Sequence, residues 1–290
     1  MFFIYQIFIS LVVLLSPIII LIRLFKNKEH KFRFIEKFCF FSKKRLKGNL
    51  VWIHAASVGE FMSVVPLIYE LEKNKKINTI LITTSTLSSS KIFKNFKFKK
   101  TIHQFFPIDQ LYFTSKFINY WKPKISIFID SEIWPCMYRE LKKNSIPLFL
   151  LNARITPKSF RRWNFFNRLS RNIFKNIEVA YPANIETEKF LKRLKVQKIT
   201  NIGNIKFCEP KIKTDFNFSN SFLSKIKKRL IFCASSTHKG EEDLIAKLHL
   251  KLKKKHKNLL TIIIPRHINR INEIYNNLKL LRLKTIIRTS

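Results

Sequence analysis

The sequence predicts an α/β protein built from open, doubly wound parallel sheets, led by an apolar N-terminal helix and closed by a second, shorter strand–helix series. Three observations carry this expectation. From Gly48 onward, short apolar runs alternate with amphipathic stretches, the order expected of repeated strand–helix units. The apolar runs show little in–out alternation, as when helices cover both faces of a parallel sheet. Between Phe2 and Ile22 there is no charged residue at all.

That first run, with a few residues beyond it (1–25), is long enough to cross a hydrocarbon core as a helix. It reads as a membrane anchor, with Pro17 tolerated inside it. A cleaved signal peptide fits less well, because a basic leading region and a small-residue cleavage site are missing. Basic residues follow instead: Arg23, Lys26, Lys28, Lys31, Arg33 and Lys37. The positive-inside rule then places the body on the cytoplasmic side of the inner membrane. Residues 26–47 mix these cations with Phe32, Phe34, Phe38, Phe40 and Phe41. Two readings stand for this segment: an interfacial stretch against anionic membrane lipids, or an ordinary packing helix.

The body, residues 48–208, has expected strands at Leu50–Ala55, Thr79–Thr84, Lys124–Ile129, Leu148–Asn152 and Ile177–Ala180. Helical patterns lie at Phe61–Glu72, Ser88–Phe96, Gln110–Tyr120, Cys136–Lys143 and Arg161–Phe174. Residues 209–221 are polar and irregular and read as a linker. A second series in 222–290 follows, with strands at Leu230–Ala234, Leu259–Ile264 and near Leu283–Ile287, and helices at Glu241–Lys254 and Ile268–Asn277. So few elements make a thin sheet with an exposed edge.

Composition narrows the function classes. Hydrophobic residues make up 46% of the chain, which excludes a disordered basic tail. The formal charge of +38 would attract nucleic acid, anionic headgroups or phosphorylated substrates. The sequence is also crowded with Phe (29) and poor in Gly (4), so drift in base composition accounts for part of that charge. The cysteines Cys39, Cys136, Cys208 and Cys233 have no metal-ligand spacing and read as free thiols. No metal and no cofactor is expected.

Ligands of parallel sheets bind at the carboxyl ends of strands, and three segments place unusual residues there. In VWIHAASVGEF (Val51–Phe61) a strand runs through Ser57 and Gly59 to Glu60, with Gly59 expected to permit a sharp turn or a close backbone approach. Glu60 at a helix start is either a general base toward a substrate hydroxyl or a helix cap. In FIDSEIWPCMYREL (Phe128–Leu141), Asp130 and Glu132 end a strand; they contact a polar acceptor or, again, cap a helix. In ASSTHKGEED (Ala234–Asp243) and IIIPRHINR (Ile262–Arg270), Ser235, Ser236 and Thr237 with the helix amides suit a phosphate, and Arg266 suits its bidentate pairing. Serine and threonine caps are common in such folds, so an anionic nucleotide on one side of an interdomain cleft rests on the set together.

In that order WIHAASVGEFMSVVPLIYEL (Trp52–Leu71), DSEIWPCMYRELKKNSIPLFLLNARIT (Asp130–Thr156), GNIKF (Gly203–Phe207), ASSTHKGEED and PRH (Pro265–His267) resemble the Kdo (3-deoxy-D-manno-octulosonic acid) transferases of lipid A and lipopolysaccharide core biosynthesis. The resemblance covers nearly the whole chain. It implies a GT-B glycosyltransferase fold of two Rossmann-like domains, the second incomplete. It implies CMP-Kdo as donor, a lipid A precursor (lipid IVA) as acceptor, transfer with inversion, and no metal or cofactor. By the same resemblance Glu60 is the general base, and Ser57, Gly59, Glu132 and Arg154 lie on the acceptor side. Ser236, Thr237, His238, Arg266 and His267 face the donor.

The sequence departs from the family in two places. Asp130 stands where Glu is expected. Family members continue past the position of Ser290 with a GEM-type loop and an N-P-L-E segment, so the sequence reads as C-terminally truncated, with a separately encoded C-terminal segment as a candidate partner. The alternative reading is a catalytically inactive membrane-bound remnant that keeps only its acceptor-binding domain. Nucleic-acid binding, prompted only by the charge, fits neither the anchor nor the ordered motifs.

Overall fold

In the computed structural model, which describes residues 2–208, 224 and 226–288, the chain divides into two compact units, Met1–Ile212 and Lys213–Ser290. The expected linker 209–221 lies outside the described residues.

The first unit opens with helix α1 (Phe2–Phe25), the one helix among the described residues long and apolar enough to cross a membrane. Proline at position 17 has no N–H for the carbonyl of Val13 one turn back. The Ser16 hydroxyl takes that place, donating to Val13 O at 2.6 Å. Sequence and local chemistry thus agree on an unbroken helix.

The body is a six-stranded sheet: β1 (Leu50–His54), β2 (Thr79–Thr84), β3 (Thr101–Phe105), β4 (Ile125–Ile129), β5 (Leu148–Ala153) and β6 (Val179–Pro182). All neighbours are parallel, in the order β3-β2-β1-β4-β5-β6. That is the doubly wound order, and it reverses direction between β1 and β4. β1 and β2 are buried along their whole lengths, which is why they read as unbroken apolar runs. One core layer gathers Trp52, Phe117, Trp121, Phe128 and Tyr138; the other gathers Ile53, Phe61, Val64, Ile68 and Ile82. Neighbouring residues of β1 therefore serve opposite faces.

β3 escapes the sequence reading because its buried residues include His103 and Gln104, which do not look like a core strand. Its edge is covered by the segment after α1. Arg33 donates to the carbonyl of His103 at 2.9 Å, and the Phe105 amide donates to Glu36 Oε2 at 2.8 Å. Segment 26–47 thus carries packing side chains, Glu36 and Cys39, beside exposed Phe32 and Phe40. The expected helix Arg161–Phe174 is two helices, α6 (Pro157–Phe165) and α7 (Asn167–Phe174). The break at Phe166 lets α7 bury Ile173 and Phe174 while Trp163 of α6 packs its ring against Phe174, centroids 5.4 Å apart.

The second unit pairs two parallel strands, β7 (Ile231–Thr237) and β8 (Leu260–Pro265), with helices Glu241–Lys255 and Ile271–Leu280. The strand expected near Leu283–Ile287 is not formed; those residues are irregular chain. Leu283 turns inward to pack with Ala246, Ile274 and Leu278, and β-branched residues alone make no ladder without a partner strand.

Candidate active site

Helix α2 (Val58–Lys73) begins where β1 ends, and Ser57 is its N-cap. The Glu60 amide donates to Ser57 Oγ at 3.3 Å, and the Ser57 hydroxyl donates back to Glu60 Oε1 at 2.7 Å. The second carboxylate oxygen accepts the Ala56 amide at 2.8 Å. This is a capping box shifted by one residue, so the capping role weighed from sequence is real. It also leaves the carboxylate fixed at the carboxyl end of β1. Burial pushes the Glu60 carboxyl above the ordinary range and the charge of Glu132 adds to the rise, while the Ser57 and Ala56 hydrogen bonds oppose it.

Gly59 corrects an expectation. Its φ is not positive, and a Cβ there would meet nothing within 4 Å, so neither a turn nor a close contact requires glycine. The glycines with positive φ are Gly203 (80°) and Gly240 (94°), inside the motifs, and Gly48 (101°), outside them, where a Cβ would lie 2.3 Å from the Asn78 side chain. What Gly59 does provide is open space beside Glu60.

Glu132 follows β4, across the reversal point from Glu60. Its Oε2 accepts the Trp134 indole N–H at 2.8 Å and faces His54 Nε2 at 3.2 Å. His54 is fully buried and was not singled out in the sequence. Its tautomer follows from its neighbours. The Trp52 indole, which can only donate, reaches Thr83 Oγ1 at 2.9 Å. The Thr83 hydroxyl hydrogen is then free for His54 Nδ1, 2.9 Å away, leaving Nε2–H to donate to Glu132. The other tautomer would set a lone pair against a carboxylate. A chain of donors thus runs from Trp52 in the core to Glu132 at the rim, with the His54 ring stacked on Phe106 at 3.9 Å. Replacing His54 with phenylalanine keeps the stack and removes both nitrogens. The expected cost is about 1–3 kcal/mol of stability, because Glu132 and Thr83 lose a buried partner. Chemical denaturation measures it, and an unchanged midpoint would contradict the donor chain.

The loop after β4 is held from β5. Asp130 adopts a left-handed conformation (φ 59°), and its carbonyl accepts the Arg154 amide at 3.3 Å. The Ser131 hydroxyl donates to Arg154 O at 2.5 Å. Arg154 therefore fixes the loop through its backbone while its side chain is exposed. Lys206, from the GNIKF segment, lies 4.0 Å from Asp130 Oδ2, and the Ile205 amide donates to Asn152 Oδ1 at 3.3 Å. The first unit so brings Ser57, Gly59, Glu60, Glu132 and the backbone of Arg154 to one end of its sheet. His54, Trp134 and Lys206 are the members that sequence reasoning missed; all three lie inside motifs already quoted, and their polar side-chain atoms were the available signal.

In the second unit, Ser236 (φ 60°), His238, Arg266 and His267 are exposed at the carboxyl ends of β7 and β8. The Arg266 amide donates to Thr237 O at 3.0 Å, joining the two ends. The rings of His238 and His267 lie edge to face, centroids 6.3 Å apart. Thr237 differs from the rest: it is buried and donates its hydroxyl to Glu242 Oε1 at 2.8 Å. Glu242 in turn accepts both terminal nitrogens of Arg270, at 3.0 and 3.2 Å. Thr237 is thus an internal tie that holds the rim on which the others stand.

The sequence model of the family described as 3-Deoxy-D-manno-octulosonic-acid transferase (kdotransferase) matches residues 31–209. A 3-deoxy-D-manno-octulosonic acid transferase of Rickettsia prowazekii is 38% identical over 80% of this chain and 50% of its own length. Its counterpart from Rickettsia bellii is 37% identical over 91% of this chain and 64% of its own. The same-named protein of Haemophilus influenzae is 29% identical over 91% of this chain and 63% of its own. The chain therefore spans between half and just under two thirds of the length of these relatives. Among solved structures, UDP-GlcNAc 2-epimerase from Neisseria meningitidis aligns with TM-score 0.59 at 15% identity, covering 80% of this chain and 68% of its own. The S. aureus MnaA–UDP structure aligns with TM-score 0.58 at 13% identity, over 79% and 65%. At such identity the likeness concerns the fold, and it bears out the α/β, GT-B expectation.

Proposed function

Since this chain belongs to the 3-deoxy-D-manno-octulosonic-acid transferase family, we propose that it transfers Kdo from CMP-Kdo to a lipid A precursor, lipid IVA, in lipopolysaccharide core assembly. The observation that carries the reading is the pair Glu60 and Glu132 on either side of the reversal point of the sheet, where open α/β folds bind ligands. Glu60 is the general base. Its raised pKa brings it closer to working pH, which strengthens a carboxylate as a proton acceptor. It takes the proton of an acceptor hydroxyl as that oxygen attacks the anomeric carbon of Kdo from the face opposite the phosphate. The bond to CMP breaks and configuration inverts. Glu132, held by His54 and Trp134, positions the acceptor sugar, and Gly59 leaves room for it. Arg266 with Ser236, His238 and His267 bears on the CMP phosphate, where a guanidinium fork suits an anionic leaving group. Helix α1 and the basic residues after it attach the chain to anionic lipid of the inner membrane, with the body on its cytoplasmic side.

The test is transfer itself. Membranes containing the 290-residue chain, supplied with CMP-Kdo and the tetra-acylated precursor, are expected to yield Kdo-bearing lipid by mass spectrometry. A folded, membrane-bound chain that yields none would refute the proposal that this polypeptide suffices for transfer.

A further inference from the structure

Helix α1 is exposed over most of its surface and yet held to the body at both ends. Near its start, the Tyr5 hydroxyl donates to Asp109 Oδ2 at 2.7 Å. Asp109 is buried and also accepts the Cys136 and Met137 amides at 3.0 and 2.8 Å, at the start of helix α5 (Pro135–Lys143). The guanidinium of Arg139 on the same helix lies 4.8 Å from the centre of the Phe2 ring. At the other end of α1, Arg23 pairs with buried Glu29 at 3.0 Å, and Lys37 holds the same carboxylate at 2.6 Å. The Lys37 carbonyl accepts the Ile108 amide at 2.9 Å. The two ends of the helix are thus tied to adjacent residues, Ile108 and Asp109, of one body.

A crossing helix cannot satisfy both ties. Tyr5 and Arg23 stand about 27 Å apart along the axis at about 1.5 Å rise per residue, close to the roughly 30 Å of a hydrocarbon core. Were α1 to span, Tyr5 would emerge on the face opposite Arg23, and Asp109 cannot be on both sides. The inner face of α1 is marked instead by Ser16 and Ile20, its buried residues. On the outside, Ile4, Phe8, Leu11, Leu15, Ile18, Ile22 and Phe25 are all exposed. They recur every three to four residues and form one continuous apolar stripe. A stripe of this length is more apolar surface than a soluble monomer leaves open. Exposed Lys26, Lys28 and Lys31 follow directly on its end, with Lys43, Lys44 and Lys47 beyond, and they complement anionic headgroups.

We propose that α1 lies along a single leaflet of an anionic bilayer, its apolar stripe in the acyl boundary and both of its ends on the side of the body. This rests on the reading of α1 as the membrane-attachment element. It places α5, and with it the Glu132 loop directly before it, next to the lipid surface from which an acylated acceptor would be drawn.

The test is topological. The full chain carries a short protease-cleavable tag ahead of Met1 in sealed inside-out membrane vesicles recovered by flotation. Cys233, an exposed free cysteine, reports the side of the body through a membrane-impermeant maleimide read by peptide mass spectrometry. The expected result is that added protease removes the tag to the same extent as Cys233 is modified. A tag protected in vesicles whose Cys233 reacts would place the ends of α1 on opposite faces and overturn the inference while leaving membrane attachment intact. A chain that does not float with the vesicles would overturn both.

Discussion

Glu60→Gln is expected to lower the rate of Kdo transfer by about 10²–10⁴-fold, the range associated with loss of a positioned proton acceptor. This replacement separates the two roles that the geometry gives Glu60. Glutamine at the third helical position also serves in a capping box; its amide oxygen can accept the Ala56 amide or the Ser57 hydroxyl that the carboxylate accepts now. The start of α2 is therefore expected to persist, with a thermal midpoint within a few degrees of the unchanged chain. Only the ability to take a proton goes. Near-native transfer by a folded Glu60→Gln chain would assign Glu60 to capping alone.

The largest loss of stability is expected at Glu36, a residue of no evident importance in a basic, phenylalanine-rich stretch. Its carboxylate is fully buried and accepts two nitrogens of Arg33, at 2.7 and 3.0 Å, together with the Phe105 amide at 2.8 Å and the Ser42 hydroxyl. Alanine would strip partners from a guanidinium that is only 21% exposed and from an amide on the edge of the sheet. Breaking a buried pair from one side costs about 3–5 kcal/mol, and the partial exposure of Arg33 argues for the lower end, about 3 kcal/mol. In a unit of this size that is a fall of roughly 6–12 °C in melting temperature. Glu70→Ala serves as the contrast, because its pair with Lys73 is 67% and 71% exposed and such pairs contribute about 0–1 kcal/mol. Equal effects of the two changes would contradict the role given to Glu36.

The same contrast shows what could be read in the sequence. β1 and β2 are buried along their whole lengths and β4 and β5 over more than half of theirs, so their apolar runs and the helices between them were evident, and with them the sites at their ends. β3 was not, because His103 meets Arg33 and Thr84 where a core strand would bring aliphatic side chains. The break at Phe166 has no signal of its own; it follows from what α7 buries. Gly59 looked like a backbone requirement, yet a glycine at the end of a strand cannot by its position alone distinguish a strained turn from a vacant space. The role of His54 depends on Thr83 and Glu132, which lie 29 and 78 positions away, and pairings of that range have no local pattern. Likewise the apolar length of α1 was plain, but its direction against the body rests on ties at its two ends, Tyr5 to a carboxylate 104 positions on and Arg23 to Glu29.

The central claim is that Glu60 takes the proton of the acceptor hydroxyl, and the pH dependence of kcat/KM for transfer tests it most directly. The working form is the carboxylate, so the rate rises as Glu60 loses its proton. Because burial holds its pKa above the ordinary value, the acid limb is predicted to fall at a pH higher than the roughly 4.3 of an unperturbed glutamate. The limb is predicted to vanish in Glu60→Gln, leaving a slow rate without that titration. An acid limb of the same midpoint and height in Glu60→Gln would contradict the account.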